Sequence, residues 1–245
     1  MTANALPTGV TSSIEPEMPP TASSDFEDFI YLISHDVRNS VRALIELPQW
    51  IVEDLAEAGV KIDGSVADSI DLMNRHTGRL DRMLVDLLAF SRVGRMQAVV
   101  EVNLNEALDD VLEEMPVPTG FSVLRDLECD TITMGEQDSL TLLTALISNA
   151  IKHHDGNAGT VVVRCKKSGS DAVLSVSDDG PGIPETFHDR IFAAMTTLRP
   201  RDEVEGSGMG LAITRKIAQL YGGDARILKN DADGRGSQFE VRLRG

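Results

Sequence analysis

His35 is followed at once by Asp36 and, four residues on, by Asn39, in the stretch SHDVRNSV. Residues four apart on a helix share a side, so Asn39 stands one turn above His35, and Asp36 is close enough to reach the ring. A carboxylate that accepts the proton of one imidazole nitrogen fixes the tautomer and leaves the other nitrogen as a nucleophile. Taken singly, a helical histidine reads as an ordinary surface residue.

A second group of residues lies further on, in four ordered pieces. LISNAIKHH places Asn149, Lys152 and His153 within about one turn at the end of a helix. DDGPGI carries Asp178, Gly180 and Gly182 after a strand, GSGMGLAI carries Gly206, Gly208 and Gly210 before a helix, and GSQF (Gly236, Ser237) opens the last strand. Glycines before a helix expose backbone N–H groups to an anion, with the helix dipole assisting. An aspartate before Gly-x-Gly can accept a hydrogen bond from an exocyclic amine, which selects adenine over guanine. Asn149 offers a neutral oxygen to Mg²⁺, and Lys152 a point charge for phosphates. Singly these residues read as a helix cap, a solvated face and tight turns. In this order they describe a nucleotide pocket.

The elements that must hold these groups follow from the hydrophobic pattern. Phe26, Ile30, Ile33, Val37, Ser40, Leu44, Leu47 and Ile51 alternate at spacings of four and three, a heptad seam. His35 falls on its outermost face. The pattern breaks near Gly59 and Gly64, and a second seam runs through Val66, Ile70, Met73, Thr77, Leu80, Leu84 and Leu87. Two helices of about 35 and 30 residues, each ~45–50 Å long, are predicted to form an antiparallel hairpin. Such a hairpin buries one face of each helix, so dimerisation into a four-helix bundle is expected. Pro48 is predicted to kink or break the first helix. Beyond Arg95, helices are expected at Leu104–Glu114, Leu140–Lys152 and Leu211–Leu220. Strands are expected at VVVRCKK, AVLSVSD, ARILKN and SQFEVRLR. The class is a helical hairpin followed by an α+β sandwich. The organisation is a disordered leader over 1–24, the hairpin over 25–95 and the sandwich over 102–245.

These five boxes resemble those of the catalytic core of a two-component sensor histidine kinase, in the GHKL ATP-binding superfamily. SHDVRNSV resembles the phosphoacceptor box, LISNAIKHH the asparagine box, and DDGPGI and GSGMGLAI the two glycine boxes. RIFAAMTTL resembles the phenylalanine box with Phe192 at its aromatic position, and NAIKHHD and RPRDEVEGSGMGL resemble the bacteriophytochrome-like branch. The resemblance covers residues from about 25 to 245. It implies that His35 is the phosphorylated histidine, Asp36 its general base and Asn39 the residue orienting water when a partner is dephosphorylated. It implies that Asn149 binds Mg²⁺, that Lys152 and His153 approach the phosphates of ATP, and that Asp178 reads adenine. Gly180 and Gly182 would form the pocket floor, with Ser237 beside it. Residues 187–207 would form a lid held by Phe192 and closed by Gly206, Gly208 and Gly210. The partners implied are a response-regulator receiver domain and a second copy of the chain. Three departures stand out: Ser40 replaces the usual proline, Met195 replaces a second lid aromatic as a soft apolar anchor, and Ala145 replaces the glutamate of hydrolytic members.

The balance of 39 acidic against 23 basic residues, a net charge of −16, repels phosphate backbones and anionic lipid, and argues against nucleic acid and membrane surfaces. Two cysteines, no long apolar run and no signal peptide point to a soluble, cytoplasmic protein. His76, His154 and His188 read as exposed, and Trp50 as packing. No sensor domain fits in the leader, so either a separate sensor protein acting on the bundle supplies the stimulus or the activity is constitutive. Two rival readings are an adaptor or phosphotransfer protein whose sandwich no longer uses ATP, and a stand-alone ATPase.

Overall fold

The computed structural model describes residues 20–95, 97–199, 206–229 and 235–244, without the side chains of 20–29, 31, 32, 34, 35 and 229. Most of the expected leader lies outside these residues. The first helix, α1, spans Pro20–Glu57 and so begins five residues before Asp25. Proline suits a first helical position because its missing N–H has no intrahelical partner there anyway. Helix α2 spans Gly64–Arg92, and the two form a hairpin in which Arg38 Nε faces Asp81 at 3.6 Å, the pairing of antiparallel helices joined near residue 60.

Of the kink or break expected at Pro48 no break occurs, and the expected buried seam of α1 is corrected. The helix runs unbroken through Pro48, which is buried. Its absent N–H removes one bond to the Leu44 carbonyl, which packing in the hairpin outweighs. The buried stripe is also not the expected seam. Val41 and Pro48, one heptad apart, are buried on α1, and Ile70, Leu84 and Leu88 on α2, while Ile33, Val37, Leu44, Leu47 and Ile51 remain 38–46% exposed. The pattern of spacings registers every apolar stripe of a helix but not which neighbour each one meets. Trp50, expected to pack, is 51% exposed in the single chain, and His76 is exposed as expected.

After a connector at 93–98 comes the α+β part. Strand β1 (Val99–Asn103) pairs antiparallel with β3 (Thr131–Gly135). A five-stranded mixed sheet has the order β2-β4-β5-β7-β6, from Phe121–Leu127, Gly159–Ser168, Asp171–Asp178, Ser237–Leu243 and Ala225–Lys229. Only β2 and β4 run parallel. Helices α3 (Leu104–Glu114), α4 (Glu136–Lys152) and α5 (Gly210–Leu220) share one core with the sheet through Leu108, Leu143, Ile147, Ile217, Val163 and Phe239. Strands β1 to β3 were not foreseen. They are short, and β2 joins β4 across the intervening α4 rather than through a hairpin turn. Strand β1 begins at Val99, three residues before the expected start of the sandwich.

The hairpin is fastened to this domain at the connector. Gly94 N–H donates to Asp138 Oδ2 at 3.0 Å, Tyr221 O–H donates to the same oxygen at 2.7 Å, and Gly135 N–H donates to the Tyr221 hydroxyl at 2.9 Å. Burial, reinforced by the Asp138 charge, pushes the Tyr221 phenol up to about 12, so it stays a donor. Among the described residues, no helix is long and apolar enough to cross a membrane.

Candidate functional site

A cleft of about 670 Å³ opens where the end of α4, the Pro181–Ile183 turn, residues 196–199 and the start of α5 converge. It is lined by Asn149, Lys152, His153, Gly182, Gly206, Gly208 and Gly210, seven of the expected residues. Helix α4 supplies the first two because its apolar face, Leu142, Leu143, Leu146 and Ile147, is pinned in the core, which turns its last polar residues outward. A smaller cavity of about 30 Å³ shares Asn149 and His153 and adds Asp178 and Ser237.

Asp178, at the end of β5, is 8% exposed, and its Oδ1 accepts the Gly180 N–H at 2.9 Å and the Ser237 N–H at 3.2 Å. Burial raises its carboxyl above the usual range, partly offset by those two N–H donors and by His154 nearby. Ser237 thus acts through its backbone. Gly180 does not line the cleft, because its N–H is turned onto Asp178. His153 is held below the usual imidazole range by burial first, then by the charges of Arg199 and Lys152. A neutral ring beside two cations leaves those cations to meet an anion. Asp86, Asp110 and Glu114 supply acid elsewhere on the wall.

The glycine-rich start of α5 is approached closely by the lid. Gly208 has φ +78°, and a Cβ on it would lie 2.6 Å from the Thr196 carbonyl oxygen, so only glycine lets the two backbones meet. Phe192 does not touch the cleft. It is buried edge-on against Phe239, ring centroids 6.4 Å apart, with the Arg215 guanidinium 4.2 Å over its face. Its contribution is to anchor the lid in the core. Met195, expected as an apolar anchor, is 47% exposed with φ 60°. Lid residues 200–205 lie outside the described residues.

Asp36 and Asn39 are exposed on α1, and the Ser40 hydroxyl donates to the Asp36 carbonyl at 3.4 Å. The backbone of His35 is helical, and its side chain lies outside the described ones. No described side chain of α1 lines the cleft, so the two expected groups are not brought together. Helix α2 does reach it, through Asp86 and Ala89.

Reading the sequence missed several residues. The Ser207 hydroxyl donates to the Asp86 carboxylate and accepts the Met209 N–H at 3.0 Å. Lys216 Nζ donates to the Phe90 carbonyl at 2.8 Å and lies 4.4 Å over its ring. Ser207 was visible inside GSGMG, but its partner stands 121 residues away. His154 and His188, expected to be exposed, are not: the His154 side chain is 7% exposed, and His188 Nε2 lies 2.9 Å from the Ile183 carbonyl oxygen.

Residues 135–245 match the family described as histidine kinase-, DNA gyrase B-, and HSP90-like ATPase. Cyanobacterial phytochrome A of Nostoc sp. (strain PCC 7120) is 29% identical over 227 residues, covering 89% of this chain and 28% of that protein. Sensor protein ChvG of Rhizobium meliloti is 32% identical over 237 residues, covering 89% of this chain and 40% of that protein. The chain therefore spans well under half the length of these relatives. Among solved structures, full-length ShkA in complex with AMPPNP has a TM-score of 0.64 at 21% identity, over 89% of this chain and 45% of that one. Histidine kinase ThkA in complex with the response regulator TrrA has a TM-score of 0.59 at 20% identity, over 86% of this chain and 60% of that one. Residues 135–245 belong to this ATPase family. With the helical hairpin before them, they give the chain an architecture similar to that of a sensor histidine kinase catalytic core.

Proposed function

We propose that the chain binds Mg·ATP in the cleft, transfers the γ-phosphate to His35, and passes it on to an aspartate of a response-regulator receiver domain. The single observation that carries this reading is the convergence of Asn149, Lys152, Gly206, Gly208 and Gly210 on one cleft, with buried Asp178 in the cavity behind it. In the first step a phosphorus–nitrogen bond to the imidazole forms as the bond to the β-phosphate oxygen breaks, and ADP leaves. Asp36 takes the ring proton. Lys152, Arg199 and the α5 amides hold the triphosphate, and Asp178 accepts the adenine amine. Asn149, which lines the cleft with a neutral oxygen, and the substrate phosphates would hold a Mg²⁺ ion. Bound there, Mg²⁺ would neutralise charge on the phosphate oxygens. Supporting parallels are the AMPPNP complex of ShkA and the response-regulator complex of ThkA. The exposed stripe of Ile33, Val37, Leu44, Leu47 and Ile51 supports pairing of two hairpins into a four-helix bundle.

Asn39 orients the water that dephosphorylates the regulator. Asn39→Ala is expected to slow regulator dephosphorylation by about tenfold or more while autophosphorylation stays within about twofold. Equal losses in the two assays would remove that role.

Because no described α1 side chain lines the cleft, transfer requires the ATP domain to leave its present seat on α2, turning about the connector. The Asp86–Ser207 and Lys216–Phe90 contacts oppose this movement. Asp86 also sets a carboxylate beside the glycine-rich segment meant for phosphate. Asp86→Asn is therefore expected to tighten ATP binding and raise the autophosphorylation rate, each by about three- to tenfold, the scale of one charge-assisted hydrogen bond. Calorimetry and phosphate labelling measure the two, and unchanged values would mean that this contact does not restrain the domain. The experiment that tests the whole reading is labelling with γ-phosphate-labelled ATP, followed by mapping of an acid-labile, base-stable modification.

A further inference from the structure

His154 is buried behind the nucleotide pocket, and its two ring nitrogens have different partners. The Gly156 N–H donates to Nδ1 at 2.8 Å, and Nε2 lies 3.1 Å from Asp179 Oδ1. A backbone amide can only donate, so Nδ1 carries no proton, and the Nε2–H donates to the carboxylate. In that arrangement each ring nitrogen has a hydrogen-bond partner. The ring also stands edge-on to Phe121, centroids 5.2 Å apart at 89°. Room for it depends on Gly159, where a Cβ would come 2.7 Å from Nε2 and 2.9 Å from Asp179 Oδ1.

What this ring grips is the second of two consecutive carboxylates. Asp179 Oδ1 also accepts the Thr160 N–H at 2.9 Å, which ties it to β4. Burial raises the Asp179 carboxyl, but the Thr160 N–H and His154 outweigh that and hold it below the usual range. Asp178 is held by a separate pair of donors, the Gly180 and Ser237 N–H groups. Adjacent carboxylates repel, and only one can serve as the buried acceptor for a base. The donors to each acid settle which one goes in and which goes out. Thr160 and His154 approach Asp179 from different elements, and His154 is the only side chain described as bonding it.

We propose that His154 is a positioning residue for nucleotide selectivity. By fixing Asp179 on β4, it sets the Asp178–Gly180 turn, so that the Asp178 carboxylate, and not its neighbour, faces an adenine amine. This rests on the reading of Asp178 given above. The test is calorimetric binding of ATP and of GTP to the full chain, as wild type, His154→Ala and His154→Gln, with thermal midpoints for each. Glutamine places an amide N–H near the position of Nε2 and can restore the bond to Asp179. His154→Ala is expected to weaken ATP about tenfold, the scale of one hydrogen bond to a charged group, and to narrow the ATP-over-GTP preference by a similar factor. His154→Gln should recover most of both. An unchanged preference in His154→Ala overturns the proposal. So does an equal loss in both variants accompanied by lowered midpoints, which marks a purely structural ring. Wild type that binds neither nucleotide overturns the reading of the cleft itself, and the role of His154 with it.

Discussion

Replacing His35 with glutamine is expected to reduce incorporation of γ-phosphate to background while leaving ATP affinity within about twofold of wild type. The first half follows from chemistry. Glutamine keeps the length and polarity of the side chain but has no nucleophilic ring nitrogen to accept a phosphoryl group. The second half follows from architecture, since no described side chain of α1 lines the cleft. Labelling and calorimetry on one preparation separate the two effects. A full-strength, acid-labile label in His35→Gln would move the acceptor to another histidine. A large loss of ATP affinity would mean that α1 contributes to the cleft in solution.

Asp178→Asn is expected to weaken ATP binding by about a hundredfold without unfolding the domain. Asparagine can still present Oδ1 to the Gly180 and Ser237 N–H groups, which bond that oxygen at 2.9 and 3.2 Å. Its other terminus becomes an amine, so an acceptor for the adenine amine is replaced by a second donor. A donor facing a donor loses the hydrogen bond and leaves a buried polar group unmatched. Stability should hold or rise, because burial disfavours the Asp178 charge and the substitution removes it.

The same raised pKa gives a pH dependence with a defined sign. Folding favours protonated Asp178, so its contribution to stability grows as pH falls between its folded value and the ordinary carboxylate value. Adenine binding moves in the opposite direction, since the acceptor is lost on protonation. ATP affinity should therefore decline on acidification earlier than an exposed aspartate would dictate. Asp178→Asn should abolish that dependence, and an identical profile in both proteins would exclude Asp178 as its source.

Much of the site was legible because its pieces are short and local. Asn149 and Lys152 share one end of α4, and the glycines of GSGMG precede α5, so spacing alone placed them on the correct elements. Phe192 was expected to hold the lid and does so from within the core, whereas Gly180, expected in the pocket floor, supports Asp178 instead. A side chain's direction depends on what packs against it, and the aromatic partner Phe239 lies on a strand 47 residues on. The hairpin was legible as two amphipathic helices. Its buried stripe was not, since periodicity does not say whether a stripe meets the other helix of the same chain or another molecule. Strands β1 to β3 have no sequential hairpin partner: β1 pairs with β3 across α3, and the parallel β2–β4 pair needs a crossover that no turn motif announces.

By itself the sequence determined the order of the helices and of the last four strands, the acidic character of the chain and the residue types available for phosphoryl chemistry. These depend on neighbours a few positions apart, and the backbone periods translate such spacing directly into shared faces. The tertiary structure alone decided that Asp86 meets Ser207 and that Asp138 binds both Gly94 and Tyr221. It also decided that a histidine from one loop fixes an aspartate from another. Those pairings join residues 25 to 121 positions apart, and only collapse onto a common core brings them within hydrogen-bond reach.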